Sequence, residues 1–300
     1  MKLLLLVPDG VGIRNFVLGS FLNQLLPEHQ VDALHVVPDE QVPVYAERLN
    51  GPVGWYPLQP GPEQLPSFLL RRALGYAQMY WSDTRSMRFN ANKPIAGSLR
   101  SRAVGHTSRL LGRLAASQRG IRLLDRVHEV AASRLPEVAH YRRLFEKTRP
   151  DVLFCSHQRP PSIIGPVLAA RSLGIPTATF IFSWDNISSK GRIAAPFDHY
   201  LVWSELMRDE LLQFYPDVAP HRIHVVGTPQ FEPYGDPSLL WSRTEFFSRV
   251  GADVDRPLIC YSGGDTGNCP EDHEHVRLML ELIRSGRIRG NPQLLVRPSP

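Results

Sequence analysis

The sequence predicts an α/β fold built on a doubly wound parallel sheet. Three observations carry that expectation. Leu3–Val7 is a continuous apolar run closed by Pro8, Asp9 and Gly10, the pattern of a strand buried on both faces. A helical stretch and the apolar run Val31–Val37 follow, giving β–α–β order. From Asp151 onward, short apolar runs and helical stretches alternate regularly.

The elements follow in chain order. Val11–Leu26 places Phe16, Val17, Phe21, Leu22, Leu25 and Leu26 at helical spacing. Val53–Leu58 reads as a third strand. Leu65–Trp81, Ser98–Ser117 and Ile121–Thr148 carry no strand signal and read as helices. Strands are expected at Asp151–Ser156, Thr177–Ser183, His199–Trp203, Ile223–Val226, Leu258–Tyr261 and Leu294–Val296. Helices are expected at Ser162–Leu173, closed by Gly174, and at Glu205–Phe214, Leu239–Val250 and Glu271–Ser285. This divides the chain into a domain over 1–250, with a helical insertion at about 65–149, and a second α/β unit over 257–300. The second stretch is too short to bury a sheet on both faces, so it reads as the opening of a truncated domain; extension of the first sheet by its two strands is the alternative.

Composition excludes several classes. With 43% hydrophobic and 21% charged residues the chain is neither collagenous, coiled-coil nor disordered. Three Cys, at 155, 260 and 269, and no Cys-x-x-Cys argue against a disulfide scaffold, a zinc ribbon and a thioredoxin-type site. Leu3–Val7 is too short for a signal-peptide core and no run approaches a spanning helix, so a cytoplasmic protein with at most peripheral membrane contact is expected.

The net charge of +5 is uneven. Residues 71–149 hold 17 Lys+Arg and 5 Asp+Glu, leaving the rest of the chain at −7. The segment reads either as a surface for an anionic partner, with nucleic acid the least suited, or as a solvated helical face. Within 98–117, Leu99, Val104, Leu110, Leu111, Leu114 and Ala115 approximate a stripe among Arg100, Arg102, Arg109 and Arg113. A membrane-surface helix and a core-packing helix would both look like this.

Ligands of open parallel sheets bind beyond the carboxyl ends of the strands, and the polar clusters of this sequence fall there. Pro8 to Asn15 offers Gly10, Gly12 and Arg14 at a helix start, but no complete Gly-x-Gly-x-x-Gly and no Walker loop. Asp9 is a candidate general base or a helix cap. With no His nearer in sequence than His29, a carboxylate is the base expected in that loop. Ser183 to Gly191 gathers Trp184, Asp185, Asn186 and Lys190 in a loop of polar, aromatic and Gly character, a functional loop or an ordinary helix-capped one. Gly227 to Glu232 either contacts a ligand or turns the chain. Ser262 to Asn268, containing Gly263, Gly264 and Thr266, forms a candidate phosphate cradle before a helix. Cys269, Asp272, His273, Glu274 and His275 are spaced poorly for a metal and read as a helix start.

Gly-Thr-Pro-Gln-Phe at 227–231, Ser-Trp-Asp-Asn-x-Ser-Ser-Lys-Gly at 183–191, Tyr-Ser-Gly-Gly at 261–264 and the closing Leu-Leu-Val-Arg-Pro-Ser-Pro resemble motifs of bacterial GT-B glycosyltransferases of the surface-carbohydrate type. A distant similarity to CDP-glycerol glycerophosphotransferases accompanies it, with Ser299 where those enzymes typically carry His. The resemblance implies two Rossmann-like domains, a nucleotide-sugar donor bound mainly by the second, a glycan or lipid-linked acceptor and a base on the first, and no cofactor or bound metal. On that reading Asp9 is the base and Asp185 orients the acceptor, beside Trp184 and Asn186. Gly263, Gly264, Thr266 and Arg297, with Arg14 or Lys190, meet the donor phosphates. A polyol-phosphate transferase, a nucleotide-sugar epimerase and a truncated, non-catalytic binding domain are the alternatives.

Overall fold

The computed structural model describes residues 1–59, 61, 63–264 and 269–298. The chain divides into two compact units, Met1–Glu232 and Pro233–Pro300.

The first unit is built on seven strands: β1 (Lys2–Val7), β2 (Gln30–His35), β3 (Val53–Pro57), β4 (Val152–Cys155), β5 (Thr177–Phe180), β6 (His199–Val202) and β7 (Ile223–Val225). All pairs are parallel, in the order β3-β2-β1-β4-β5-β6-β7. The winding reverses between β1 and β4, and a crevice is expected at their carboxyl ends. The unbroken apolar run of β1 is explained by its neighbours. Leu4 and Leu6 join one buried cluster, with Leu153, Tyr141, Phe145 and Val167. Leu3, Leu5 and Val7 join the opposite one, with Phe16, Leu22, Phe154 and Phe180.

The helices of this unit are α1 (Gly10–Gly12), α2 (Phe21–Leu25), α3 (Val42–Ala46), α4 (Leu65–Ser82), α5 (Arg85–Asn92), α6 (Leu99–Leu114), α7 (Gln118–Ala132), α8 (Pro136–Thr148), α9 (Ile164–Ser172), α10 (Asn186–Ser189) and α11 (Glu205–Phe214). The short helices α3, α5 and α10 were not expected from the sequence, and two of the expected helices are broken up. The single helix expected over Val11–Leu26 is α1, a π-helical turn at Ile13–Val17, and α2. The wide turn carries three consecutive buried residues, Asn15, Phe16 and Val17, and sets Phe16 edge-on to Phe21, Phe154 and Phe180 at 5.2–5.3 Å. The helix expected over Ile121–Thr148 is broken into α7 and α8. Leu135 precedes Pro136 and takes an extended ψ of 138°, because the proline ring disfavours the helical conformation one residue earlier.

The helical insertion is clasped to the sheet by Arg192. Its guanidinium donates to Asp125 Oδ2 of α7 at 2.5 Å and to Gln78 Oε1 of α4 at 3.0 Å, and lies 4.7 Å from the Tyr215 ring centre. Arg192, Asp125 and Tyr215 line a cavity of about 210 Å³ against α9 that shares no residue with the cleft described below.

The second unit contains α12 (Arg243–Val250), β8 (Leu258–Ser262), α13 (Asp272–Arg284) and β9 (Gln293–Arg297). β8 and β9 form a separate two-stranded parallel sheet and do not extend the first. The boundary falls earlier than the expected 250. Arg243 of α12 donates to Val254 O at 3.1 Å, and Asp253 exchanges hydrogen bonds of 2.7 and 2.8 Å with the Gln293 side chain, which ties this stretch to β9.

Inside the insertion, α6 turns a buried face of small residues inward: Ser108 and Gly112 meet α4, and Gly105 lies against Ile95. A Cβ at Gly112 would stand 2.8 Å from Ala73 O and 3.0 Å from Ala77 N, backbone atoms that cannot swing aside. Gly112→Val should therefore cost about 1–3 kcal/mol through overpacking. Denaturant unfolding measures it; unchanged stability would show that the two helices do not approach this closely.

Candidate functional site

The carboxyl ends of β1 and β4 bring Asp9 and His157 together. Asp9 leaves β1 with extended backbone, and its Oδ1 accepts from Val11 N at 3.1 Å and Gly12 N at 2.9 Å, so it caps α1. Its other oxygen, Oδ2, is bonded to His157 Nδ1. The capping and acid–base readings of Asp9 thus describe two oxygens of one carboxylate. Burial alone would raise the Asp9 pKa, but the His157 hydrogen bond and charge, with the Gly12 and Val11 N–H groups, outweigh it and hold the carboxyl below its ordinary value. An ionised carboxylate only accepts, so His157 Nδ1 carries the proton and donates. With Nδ1 committed to the carboxylate, Nε2 is the nitrogen left to offer a lone pair whenever the ring is neutral.

That nitrogen is buried and has no hydrogen-bond partner. The Ser156 Oγ next to it in the chain is likewise buried and unpartnered. Leaving such groups unpaired costs on the order of 1–3 kcal/mol each, a cost that a ligand's polar groups would remove. Ser156 makes no bond to His157, so this is not a nucleophilic triad. Gly12 lies against Ser156 Oγ, in space that any side chain would fill. Cys155 is not a nucleophile either: burial pushes its thiol up to about 12, and its Sγ–H points to His157 O at 3.2 Å.

His157 lines a cleft of about 500 Å³ with Arg159, Phe182, Asp185, Asn186 and Lys190, formed by the loops after β4 and β5. Phe182 lies against the imidazole at 4.2 Å between ring centres. Gln158, fully enclosed, ties the two loops by accepting from Phe182 N at 3.1 Å and donating to Asn186 Oδ1 at 3.4 Å. Asp185 is turned into its own loop: Oδ1 accepts from Ser183 Oγ at 2.6 Å and Asn186 Nδ2 at 3.2 Å, and Oδ2 from Ser189 Oγ at 2.9 Å. Burial works upward on its pKa, but these three bonds and the Lys190 charge bring the net value down. It is a fixed anion that shapes the loop.

Among the other residues singled out from sequence, Trp184 is 67% exposed beside the cleft and outside its lining. Arg14 is exposed on the π turn and donates to Asn15 Oδ1 at 3.0 Å. Glu232, from the loop after β7, accepts from Ser20 N at 3.0 Å and so folds that loop back toward the start of α2. In the second unit Gly263, Gly264 and Arg297 meet at the carboxyl ends of β8 and β9. The Gly263 N–H donates to Arg297 O at 2.9 Å and the Gly264 N–H to Asp272 Oδ2 at 2.7 Å. Both N–H groups are engaged within the protein, one of them by the Asp272 carboxylate, which leaves the exposed Arg297 side chain as the basic group at these strand ends among the described residues. Thr266 lies outside them. No three His, Cys, Asp or Glu gather as a metal set among the described residues; His275 Nδ1 instead lies 3.3 Å from Tyr261 Oη. The residue that sequence reasoning missed is His157. Its signal, a His directly after a predicted strand, becomes visible only once β4 is known to pair with β1.

The two roles of Asp9 separate by substitution. Asn caps as well as Asp, whereas Ala does not. Asp9→Asn should therefore lose only the pairing with His157, and Asp9→Ala about 0.5–2 kcal/mol more. Because the folded pKa of Asp9 lies below 3.8, the stability it contributes is fully present above that value and is lost as pH falls through the folded pKa. Unfolding free energies of wild type and Asp9→Asn should differ near neutrality and converge in acid. A difference independent of pH would contradict the ionised pair.

No family model matches the sequence, and no curated protein matches it significantly. Solved structures do match it in fold. The UDP-GlcNAc 2-epimerase of Methanocaldococcus jannaschii, solved with UDP-GlcNAc and UDP, is 13% identical with a TM-score of 0.50, over 100% of this chain and 66% of that one. The UDP-N-acetylglucosamine 2-epimerase of Rickettsia bellii is 9% identical with a TM-score of 0.52, over 100% of this chain and 62% of that one. MnaA of S. aureus, solved with UDP, is 10% identical with a TM-score of 0.52, over 99% and 62%. The chain thus spans a little under two thirds of the length of these proteins. At such identities the likeness is one of architecture: the chain has an α/β, GT-B-like fold.

Proposed function

We propose that this chain belongs to a nucleotide-sugar-dependent glycosyltransferase in which His157 is the general base, held by Asp9. The observation that carries the reading is the bare, unpartnered Nε2 of His157 in the cleft wall, with Nδ1 fixed by an ionised carboxylate. An acceptor hydroxyl donates to Nε2 as its oxygen attacks the anomeric carbon. The bond from that carbon to the nucleoside diphosphate breaks, the proton passes to Nε2, and Asp9 stabilises the resulting imidazolium. Asp9 is then a positioning residue, one step removed from the base role expected of it. Asn186 and the exposed Trp184 remain the acceptor-side contacts, Lys190 and Arg14 the cationic ones, and Arg297 the donor-phosphate contact in the second unit. The motifs at 183–191 and 227–231 support an acceptor from surface-polysaccharide or glycolipid synthesis.

A second reading, nucleotide-sugar epimerisation, is favoured by the epimerases of like fold. Inverting a ring carbon through its proton calls for acid–base groups on both faces of the sugar. The described cleft offers one poised base, since both Asp185 oxygens are occupied. That asymmetry supports transfer.

A panel of nucleotide sugars, assayed with and without glycan or lipid-linked acceptors for release of nucleoside diphosphate, tests the reading. Turnover should require an acceptor, and His157→Gln should lower it by about 10²–10⁴-fold while donor affinity is kept. The same reactions run in deuterium oxide give the opposing result if deuterium enters C2 of UDP-GlcNAc without any acceptor, which would assign the site to epimerisation.

A further inference from the structure

Helix α6 is inverted with respect to the usual amphipathic rule. Its buried face is Gly105, Ser108 and Gly112, while Leu99, Leu110 and Leu114 point outward, 84%, 59% and 78% exposed. On a helical wheel these leucines share one arc with Ala103, flanked by Arg102 and Arg113 on one side and Arg100 on the other. Phe89 of α5 is 68% exposed, with Lys93 Nζ 5.0 Å from its ring centre. Three or more large apolar side chains held in water on a small-residue helix have no packing role in the chain and mark a surface that something else covers.

The charge of the surroundings says what. Residues 84–124 hold nine Lys+Arg and no Asp or Glu. A second copy applying the same face would set these cations against their own kind. A nucleic acid would be met by leucines where phosphates need donors. An anionic bilayer answers both features, with headgroups for the arginines and the interfacial acyl region for the leucines. We propose that the outward face of α6, with Phe89, docks the protein on anionic phospholipid membranes. No helix among the described residues is long and apolar enough to cross a membrane, so this is a contact in the plane of the interface.

The arginines divide into two kinds. Arg109 donates to Lys93 O at 2.5 Å and stacks 5.3 Å from Tyr76; it fastens α6 to its neighbours and is removed from the set of lipid contacts the sequence implied. Arg113 lies 5.1 Å from the Tyr80 ring and remains exposed. Arg100 and Arg102 are fully outward and are the residues to change. This surface is independent of the reaction performed at His157 and stands whichever reading of that site holds.

Flotation with vesicles of phosphatidylcholine, with and without phosphatidylglycerol, tests the proposal on the full chain. Binding should require phosphatidylglycerol and weaken with salt. Arg100→Gln and Arg102→Gln should each lower partitioning about fivefold, and Leu99→Ser with Leu110→Ser and Leu114→Ser should abolish it, with circular dichroism showing the fold retained and only the small loss of thermal midpoint that weaker helix propensity brings, because these side chains are mostly exposed. Leu114→Trp should shift its fluorescence to the blue on anionic vesicles only. Equal binding to neutral vesicles, or retention by the triple serine variant, would overturn it. So would a concentration-dependent dimer in ultracentrifugation that the serine changes dissolve, or competition by single-stranded RNA with no vesicle binding.

Discussion

One carboxylate ties the first helix, the central strand and the candidate site together. Asp9 ends β1, closes the free N–H groups of α1 with one oxygen and holds His157 with the other. Because β1 and β4 are hydrogen-bonded neighbours at the place where the winding reverses, this bond spans the topological switch of the sheet. A parallel α/β sheet leaves that crevice open by construction. The chain lines it with one ion-supported imidazole and leaves the buried Nε2 of that ring unmatched. The loops that wall the cleft are made rigid in turn, by the enclosed Gln158 and by the internally satisfied Asp185. An imidazole held so firmly would lose little freedom on binding a ligand.

The same economy of small residues governs the periphery. Close approach of α6 to α4 needs glycine and serine on the inner face, and this forces the leucines of that helix outward. The basic, acid-free stretch around them gives an exposed apolar face and a cationic one in the same place. Arg192 ties the helices of the insertion to the segment before β6 through Asp125 and Gln78.

The parallel sheet was legible in the sequence because its signal is local: Leu3–Val7 reads as a strand buried on both faces without reference to any other residue. Asp9, Asp185 and Lys190 stand out in the sequence for the same reason, since each lies in a loop that follows a predicted strand. His157 does not, because its pairing with Asp9 spans 148 residues and rests on which strand lies beside which. The helix over Val11–Leu26 was over-read. Its apolar spacing is helical, yet the packing of Phe16 among three aromatic rings selects a π turn that no periodicity announces. The stripe on α6 was seen and its direction was not: leucines and glycines are both compatible with a buried face until the distance between helices is known.

The protonation of His157 tests the central claim most directly. Nitrogen-15 shifts of its imidazole, followed upward in pH until the ring is neutral, in wild type and in Asp9→Asn, report which ring nitrogen carries the proton. The account predicts a single tautomer with hydrogen on Nδ1 and a bare Nε2 in the wild type, and a mixture of tautomers once the carboxylate is gone. A proton found on Nε2 in the wild type, or a tautomer indifferent to Asp9, would contradict it.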